Sequence, residues 1–208
     1  MEKAFENISS GKQEAMQLYL KDILASIENS IKIVQDVTIS KGLRRKIMVI
    51  ITMDVHSRDV VGRLVENKVR KASEFQWQSQ LTLYWDPAKF DVQIRIADAI
   101  MWYGYEYLGN GGRLVITELT DRIFVTATQA LHLKLGCAPA GPAGTGKTET
   151  TKDLAAAVGK ACYVTNCSPE MDYNSIGDIF KGLGSSGSRG CFDEFNRLIP
   201  AVLSVCTV

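Results

Sequence analysis

Apolar residues near the start of the chain recur at helical spacing. Leu18, Ile23, Ile27, Ile31 and Val34 lie three to five residues apart, which predicts helix from residue 1 to about residue 38 with one rough apolar stripe. Gly42 reads as a break. Ile47–Met53 is apolar and partly β-branched, and for so short a run periodicity leaves strand and buried helix both open. Asp59 reads as an N-cap, because Val60, Val61, Leu64, Val65 and Val69 follow at helical spacing with Arg63, Glu66, Lys68, Arg70 and Lys71 mostly on the other face. An aromatic stretch from Phe75 to Trp85 ends at Asp86-Pro87. The residue before a proline is pushed out of helix, so we place a domain boundary there, dividing the chain into 1–86 and 87–208.

Beyond that point the pattern changes. Tyr103–Gly112 is a glycine-rich turn region, Arg113–Thr117 reads as a short strand, and Thr120 or Asp121 caps a helix with Ile123, Phe124, Ala127 and Leu131 on one side. From Gly136 the order is strand, glycine loop, helix (147–158), strand (161–166), helix (about 171–182), glycine-serine turn (184–188) and strand (190–193). Such alternation predicts an α/β fold with a parallel sheet, here preceded by a mainly helical segment.

Composition narrows the function. With 208 residues, 46% hydrophobic and 23% charged, the chain has the make-up of one large or two small globular domains. A net charge of +1 gives no basic surface for nucleic acid, so no nucleic-acid partner is expected. The basic run Lys41, Arg44, Arg45, Lys46 reads as a solvated turn. No signal peptide opens the chain, and Ile47–Met53 is too short to span a bilayer, so no membrane partner is expected. The five cysteines form no CxxC pair and stand far from His56 and His132, which argues for reduced thiols in a cytosolic protein and against zinc or a disulfide framework. The aromatics Trp77, Tyr84, Trp85, Trp102, Tyr103, Tyr105 and Tyr107 read as packing residues, His56 as a surface or packing histidine, and Cys191 as a buried strand cysteine.

The chemistry concentrates in Gly141-Pro142-Ala143-Gly144-Thr145-Gly146-Lys147-Thr148, a full GxxxxGK[ST] motif between an apolar segment and an alanine-rich helix. Glycines let the backbone turn its N–H groups inward, and these groups, with the positive helix end, hold phosphate oxygens. Lys147 supplies a point charge to the β- and γ-phosphates, and the Thr148 hydroxyl is a ligand for Mg²⁺. The implied ligand is ATP with Mg²⁺. Downstream, Cys191-Phe192-Asp193-Glu194 supplies the acidic pair such a site needs: Asp193 for the metal and Glu194 as general base toward water. The strand leading into it is poor, because Ser188-Arg189-Gly190 stands where apolar residues are wanted.

The run Gly141 to Lys152, then Asn166-Cys167-Ser168, then Cys191 to Arg197 resembles the first AAA+ module of dynein heavy chains. Tyr103 to Asn110, Arg113–Thr117 and Leu119 to Arg122 look like the entry into that module. Asp54 to Asp59, Trp77 to Leu81 and Tyr84-Trp85 are similar to the end of the dynein linker. The texture resembles an axonemal heavy chain more than a cytoplasmic one.

This resemblance implies that 1–86 is the C-terminal part of a linker, and that 87–208 is the N-terminal part of an AAA+ P-loop module that stops just past the acidic motif. It implies ATP hydrolysis driving linker movement. It also implies that the backbone near Val115 and Ile116 meets adenine, and that Glu149 belongs to the nucleotide site. The implied partners are ATP and ADP and the other AAA+ modules of a ring. Intermediate and light chains and microtubules would be met through a full-length chain, in the cytoskeleton of a cilium or flagellum. Glu118 stands where the family has proline, and Ser188 and Arg189 stand where it has apolar or aromatic residues.

The sensor strands and lid of the family would lie past Val208, which leaves residues 136–140 without neighbouring strands. At about 1–3 kcal/mol per buried unsatisfied group, against about 5–15 kcal/mol for a domain, the isolated chain is expected to be partly unfolded or aggregating, with little turnover. A non-enzymatic nucleotide-binding or assembly paralogue, and a P-loop NTPase of another family, remain as other readings.

Overall fold

The computed structural model describes residues 1–9, 14–109, 111–142 and 144–206. Ala143 of the glycine loop and Asn110 lie outside the described residues. The chain forms two compact units, Met1–Trp102 with Asn110–Ala138, and Tyr103–Gly109 with Pro139–Val208.

In the first unit, α1 (Glu2–Ser9), α2 (Ala15–Gln35) and α3 (Lys41–Glu66) supply most of the core. Phe5, Met16, Ile23, Ile27, Val60, Val61, Leu64, Val69 and Trp77 are buried together. The α2 stripe is narrower than the spacing predicts, since Leu18 and Ile31 are exposed. The break between helices falls before Gly42. Asp36 Oδ1 accepts from the Thr38 amide at 2.8 Å and from its hydroxyl at 2.7 Å, which turns the chain out of α2. Ser40 then caps α3 by accepting from the Leu43 amide. Gly42 and the basic run therefore sit in the opening turns of α3, not in a solvated turn. Ile47–Met53 is helical, and Asp59 lies inside the helix, its carboxylate held by Arg58 at 2.6 Å rather than capping an N-terminus. The nearer cap wins because the Ser40 side chain stands where the chain leaves extended backbone.

After the short α4 (Phe75–Gln78), strands β1 (Thr82–Asp86), β2 (Asp91–Ile96) and β3 (Ala99–Trp102) form an antiparallel sheet in that order. Asp86-Pro87 opens the β1–β2 turn, where Asp86 Oδ1 accepts from the Ala88 amide at 3.0 Å. The strands on either side pair from Asp86↔Asp91 to Thr82↔Arg95. The proline thus bends the chain while backbone pairing joins its two flanks. Helix α5 (Glu118–His132) begins one turn earlier than expected. Thr117 is its N-cap and forms a reciprocal capping box with Thr120. Residues 113–117 are not a strand: among the described residues no strand lies beside them to complete their backbone bonds. Arg63 of α3 reaches Asp121 at 3.0 Å and Glu118 at 3.5 Å, tying α3 to the first turn of α5.

In the second unit, α6 (Lys147–Ala157) packs on β4 (Cys162–Asn166) and β5 (Arg189–Asp193). The two strands are parallel, from Cys162↔Arg189 to Asn166↔Asp193, as the alternation predicts. Helix α7 (Tyr173–Ser186) joins them and α8 (Pro200–Cys206) follows. Helix α7 runs through the stretch read as a glycine-serine turn and ends at Gly187, whose φ of 66° suits glycine. Strand β5 forms despite its weak start. A Cβ at Gly190 would collide with the side chain of Leu183 on α7, so the missing side chain is what lets the helix lie on the strand.

Residues 136–140 form no strand and are exposed. Their backbone groups can be hydrated, so the penalty for buried unsatisfied groups does not apply to them. Across the C-terminal end of α6 runs the strap Tyr103–Glu106. The Gly104 amide donates to Val158 O at 2.9 Å, the Glu106 amide to Gly159 O at 3.0 Å, and the Ala161 amide to Glu106 Oε2 at 2.6 Å. The strap fixes where β4 begins.

Candidate nucleotide site

The glycine loop turns sharply into α6. Gly144 (φ 76°) and Gly146 (φ 78°) adopt left-handed backbone, which side chains disfavour. The Thr145 hydroxyl donates to Pro142 O at 3.0 Å and tightens the turn. Gly146 is the N-cap of α6 and has no side chain to cap with. Among the described residues no side chain caps α6, so the first-turn amides of Lys147, Thr148 and Glu149 are available to an external acceptor at the positive end of the helix. The Lys147 ammonium donates to Pro142 O at 2.6 Å and Gly141 O at 2.9 Å. It lies on carbonyls of the loop and leaves the amides alone. A phosphate oxygen carries more negative charge than a peptide carbonyl and competes for the ammonium on favourable terms.

The end of β5 brings the acidic pair to this loop. The Thr148 hydroxyl donates to Asp193 Oδ2 at 2.9 Å, and Asp193 Oδ1 accepts from the Glu194 amide at 3.1 Å. Asp193 O accepts from the Cys167 amide at 2.9 Å, which anchors the strand end to the start of the β4–α7 connection. Glu194 takes left-handed backbone (φ 52°) and starts the 3-10 turn Phe195–Arg197, with its carboxylate 3.5 Å from Arg197 Nε.

Lys147, Thr148, Asp193 and Glu194 therefore belong to one framework in the second unit. Glu149 directs its carboxylate to Lys152 at 2.6 Å on the surface of α6, so only its amide is offered at the helix start. Val115 and Ile116 belong to the first unit, and Val115 is 64% exposed. Burial pushes the Cys162 and Cys191 thiols above their ordinary range, as expected of unreactive cysteines. Two contributors lie inside the family-like runs of the sequence but are given no role there. Glu106 gave no signal, because its partner is a distant amide. Arg197 stands three residues after Glu194, a spacing that allows contact within one turn.

The family described as "Hydrolytic ATP binding site of dynein motor region" matches residues 103–208. The chain is 58% identical over its whole length to the flagellar outer-arm dynein alpha chain of Chlamydomonas reinhardtii. It is 52% identical over 99% of its length to human dynein axonemal heavy chain 9, and 49% identical over 99% to the flagellar outer-arm dynein beta chain of Chlamydomonas reinhardtii. It spans about 4% of each of these proteins. A glycine loop with its amides open at a helix start, an acidic strand end joined to it, and this match over residues 103–208 lead to one conclusion: the chain belongs to the family of the hydrolytic ATP-binding site of the dynein motor region.

Proposed function

We propose that this chain binds MgATP through residues 141–149 and, within a dynein heavy chain, takes part in its hydrolysis. The observation that carries the reading is the 2.9 Å bond between the Thr148 hydroxyl and Asp193, which joins the phosphate loop to the acidic strand end. Loop and first-turn amides receive the phosphate oxygens, and Lys147 neutralises the β- and γ-phosphates. Glu194 accepts a proton from the attacking water as the water oxygen bonds to the γ-phosphorus and the bond from that phosphorus to the β,γ-bridging oxygen breaks, giving inorganic phosphate and ADP.

The donor set suits Mg²⁺. A threonine hydroxyl and one carboxylate are hard oxygen donors, and Mg²⁺ takes its remaining ligands from phosphates and water. Among the described residues no group of three or more His, Cys, Asp or Glu could hold a metal alone, in keeping with an ion that arrives with its nucleotide. When bound, the ion offsets charge on the phosphate oxygens. The backbone near Val115 and Ile116 is our candidate for the adenine contact. In the full heavy chain, with residues 1–86 as the end of the linker and 87–208 as the start of the AAA+ module, turnover would drive linker movement. The partners would be other AAA+ modules, intermediate and light chains, and microtubules. The axonemal and flagellar relatives support a place in the axoneme.

Calorimetry of MgATP with this chain and with Lys147→Ala tests the site. We expect binding by the parent chain and affinity at least about tenfold weaker in the variant, a loss of about 1.4 kcal/mol. Equal affinities would remove the loop from the binding site.

A further inference from the structure

Arg197 holds Glu194 at two points. Its amide donates to Glu194 O at 2.9 Å, and its guanidinium Nε lies 3.5 Å from Glu194 Oε2. On the other side, the Glu194 amide is fixed to Asp193 Oδ1 at 3.1 Å, while Asp193 Oδ2 takes the Thr148 hydroxyl. An unbroken series of contacts thus runs Thr148, Asp193, Glu194, Arg197. Glu194 keeps a left-handed backbone, which a non-glycine residue holds only where its neighbours impose it. The ion pair itself is open to water, with the Arg197 and Glu194 side chains 61% and 50% exposed, and such pairs add little to stability. What it does supply is orientation. A glutamate side chain rotates about several bonds, and a counter-ion on one oxygen narrows the directions its carboxylate can take.

We propose that Arg197 is a positioning residue for Glu194, restraining the carboxylate at the end of β5 so that it meets the attacking water. The proposal rests on the reading of Glu194 as the general base. Arg197 acts through Glu194 and is assigned no contact with nucleotide.

The test uses a dynein heavy chain carrying these 208 residues, with MgATP affinity and single-turnover hydrolysis measured separately. Glu194→Gln checks the underlying reading: hydrolysis should fall at least about a hundredfold with affinity little changed. If that variant hydrolyses at the parent rate, the assignment of the base fails whatever Arg197 does. Displacing a group by about 1 Å can cost about a hundredfold, so a loosened one in Arg197→Ala should slow single turnover by about tenfold at unchanged affinity. Arg197→Lys, or millimolar guanidinium added to Arg197→Ala, should restore part of the rate. In the Glu194→Gln background the same change should cost nothing further, because both substitutions remove one function. Parent-rate hydrolysis by Arg197→Ala, or an equal further loss in the Glu194→Gln background, would overturn the proposal. If Arg197→Ala does not fold, Arg197→Lys and Arg197→Gln carry the same comparison.

Discussion

Thr148 Oγ1 and Asp193 Oδ2, 45 residues apart in sequence, lie 2.9 Å apart in the fold. The bond spans from the first turn of α6 to the last residue of β5, so it reports the register of the helix against the strand as well as the chemistry of the site. Both groups offer oxygen to a hard cation, and neither alone would hold one.

Asp193→Asn should separate the structural and ionic parts of that relationship. The amide oxygen can still accept from Thr148, so α6 and β5 should stay in place. The lost carboxylate should weaken the contribution of Mg²⁺ to ATP binding. We expect the ratio of ATP affinities with and without Mg²⁺ to fall by about tenfold or more, since a charged ligand becomes neutral. Calorimetry in Mg²⁺ and in chelator measures it. An unchanged ratio would exclude Asp193 from the metal site.

Glu106 offers a test of the strap. Its carboxylate accepts from the Ala161 amide at 2.6 Å where β4 begins. Glu106→Ala leaves that part-buried amide without its partner, at a cost of about 1–3 kcal/mol. Glu106→Gln keeps an acceptor and should lose less. Hydrogen exchange at the Ala161 amide should speed in the alanine variant and change little in the glutamine one. Equal protection in both would show that the carboxylate does not hold the strand.

How much of this was legible beforehand depends on the range of each interaction. The phosphate loop, α6 and the parallel strands are visible in sequence because glycine pattern, helix start and strand alternation are local. Thr148 and Asp193 could be named separately, but their contact is a property of the β4–β5 pairing. The expectations that differ from the structure do so for different physical reasons. Arg113–Thr117 and residues 136–140 look like strands by composition, yet a strand needs a neighbour, and among the described residues none lies beside them. Asp59 resembles a cap, but Ser40 had already started the helix. Asp91–Ile96 does alternate polar and apolar residues, but the β2–β3 hairpin stays hidden in the sequence because Ala99–Trp102 is apolar throughout and the turn is made by Ala97 (φ 48°) and Asp98 with no glycine to signal it. Gly190 reads in sequence as a weak strand position, and its reason is non-local: the Leu183 side chain lies where its Cβ would be.

That last pair yields a compensation experiment. Gly190→Ala should destabilise the second unit by about 1–3 kcal/mol, because the new methyl meets the Leu183 side chain. Shortening the obstacle in Gly190→Ala/Leu183→Ala should relieve the clash, so the double variant should lose less than the sum of the two single ones. Denaturant midpoints of the four proteins give the coupling. Strict additivity would mean the helix moves away at no cost.

His56 sets the expected pH dependence of the first unit. Burial holds its imidazole below the ordinary value of 6.5; Asp121 and Asp59 pull it upward, and Arg63 and Arg113 push it down. The folded state therefore binds a proton less readily than the unfolded chain. The stability tied to neutral His56 is present above pH 6.5 and is lost as pH falls through the lower folded value. The carboxylates of Asp36 and Glu74, held low by hydrogen bonds from Thr38 and from the Arg70 and Lys71 amides, act in the same direction at more acid pH, starting near their ordinary values of 3.8 and 4.5. Between about pH 6.5 and 5 the histidine should therefore dominate. His56→Gln cannot take up a proton there, so its melting temperature should change less between pH 7.5 and 5.5 than that of the parent, in tests at about these values. A parallel fall in both proteins would place the pH-sensitive group elsewhere.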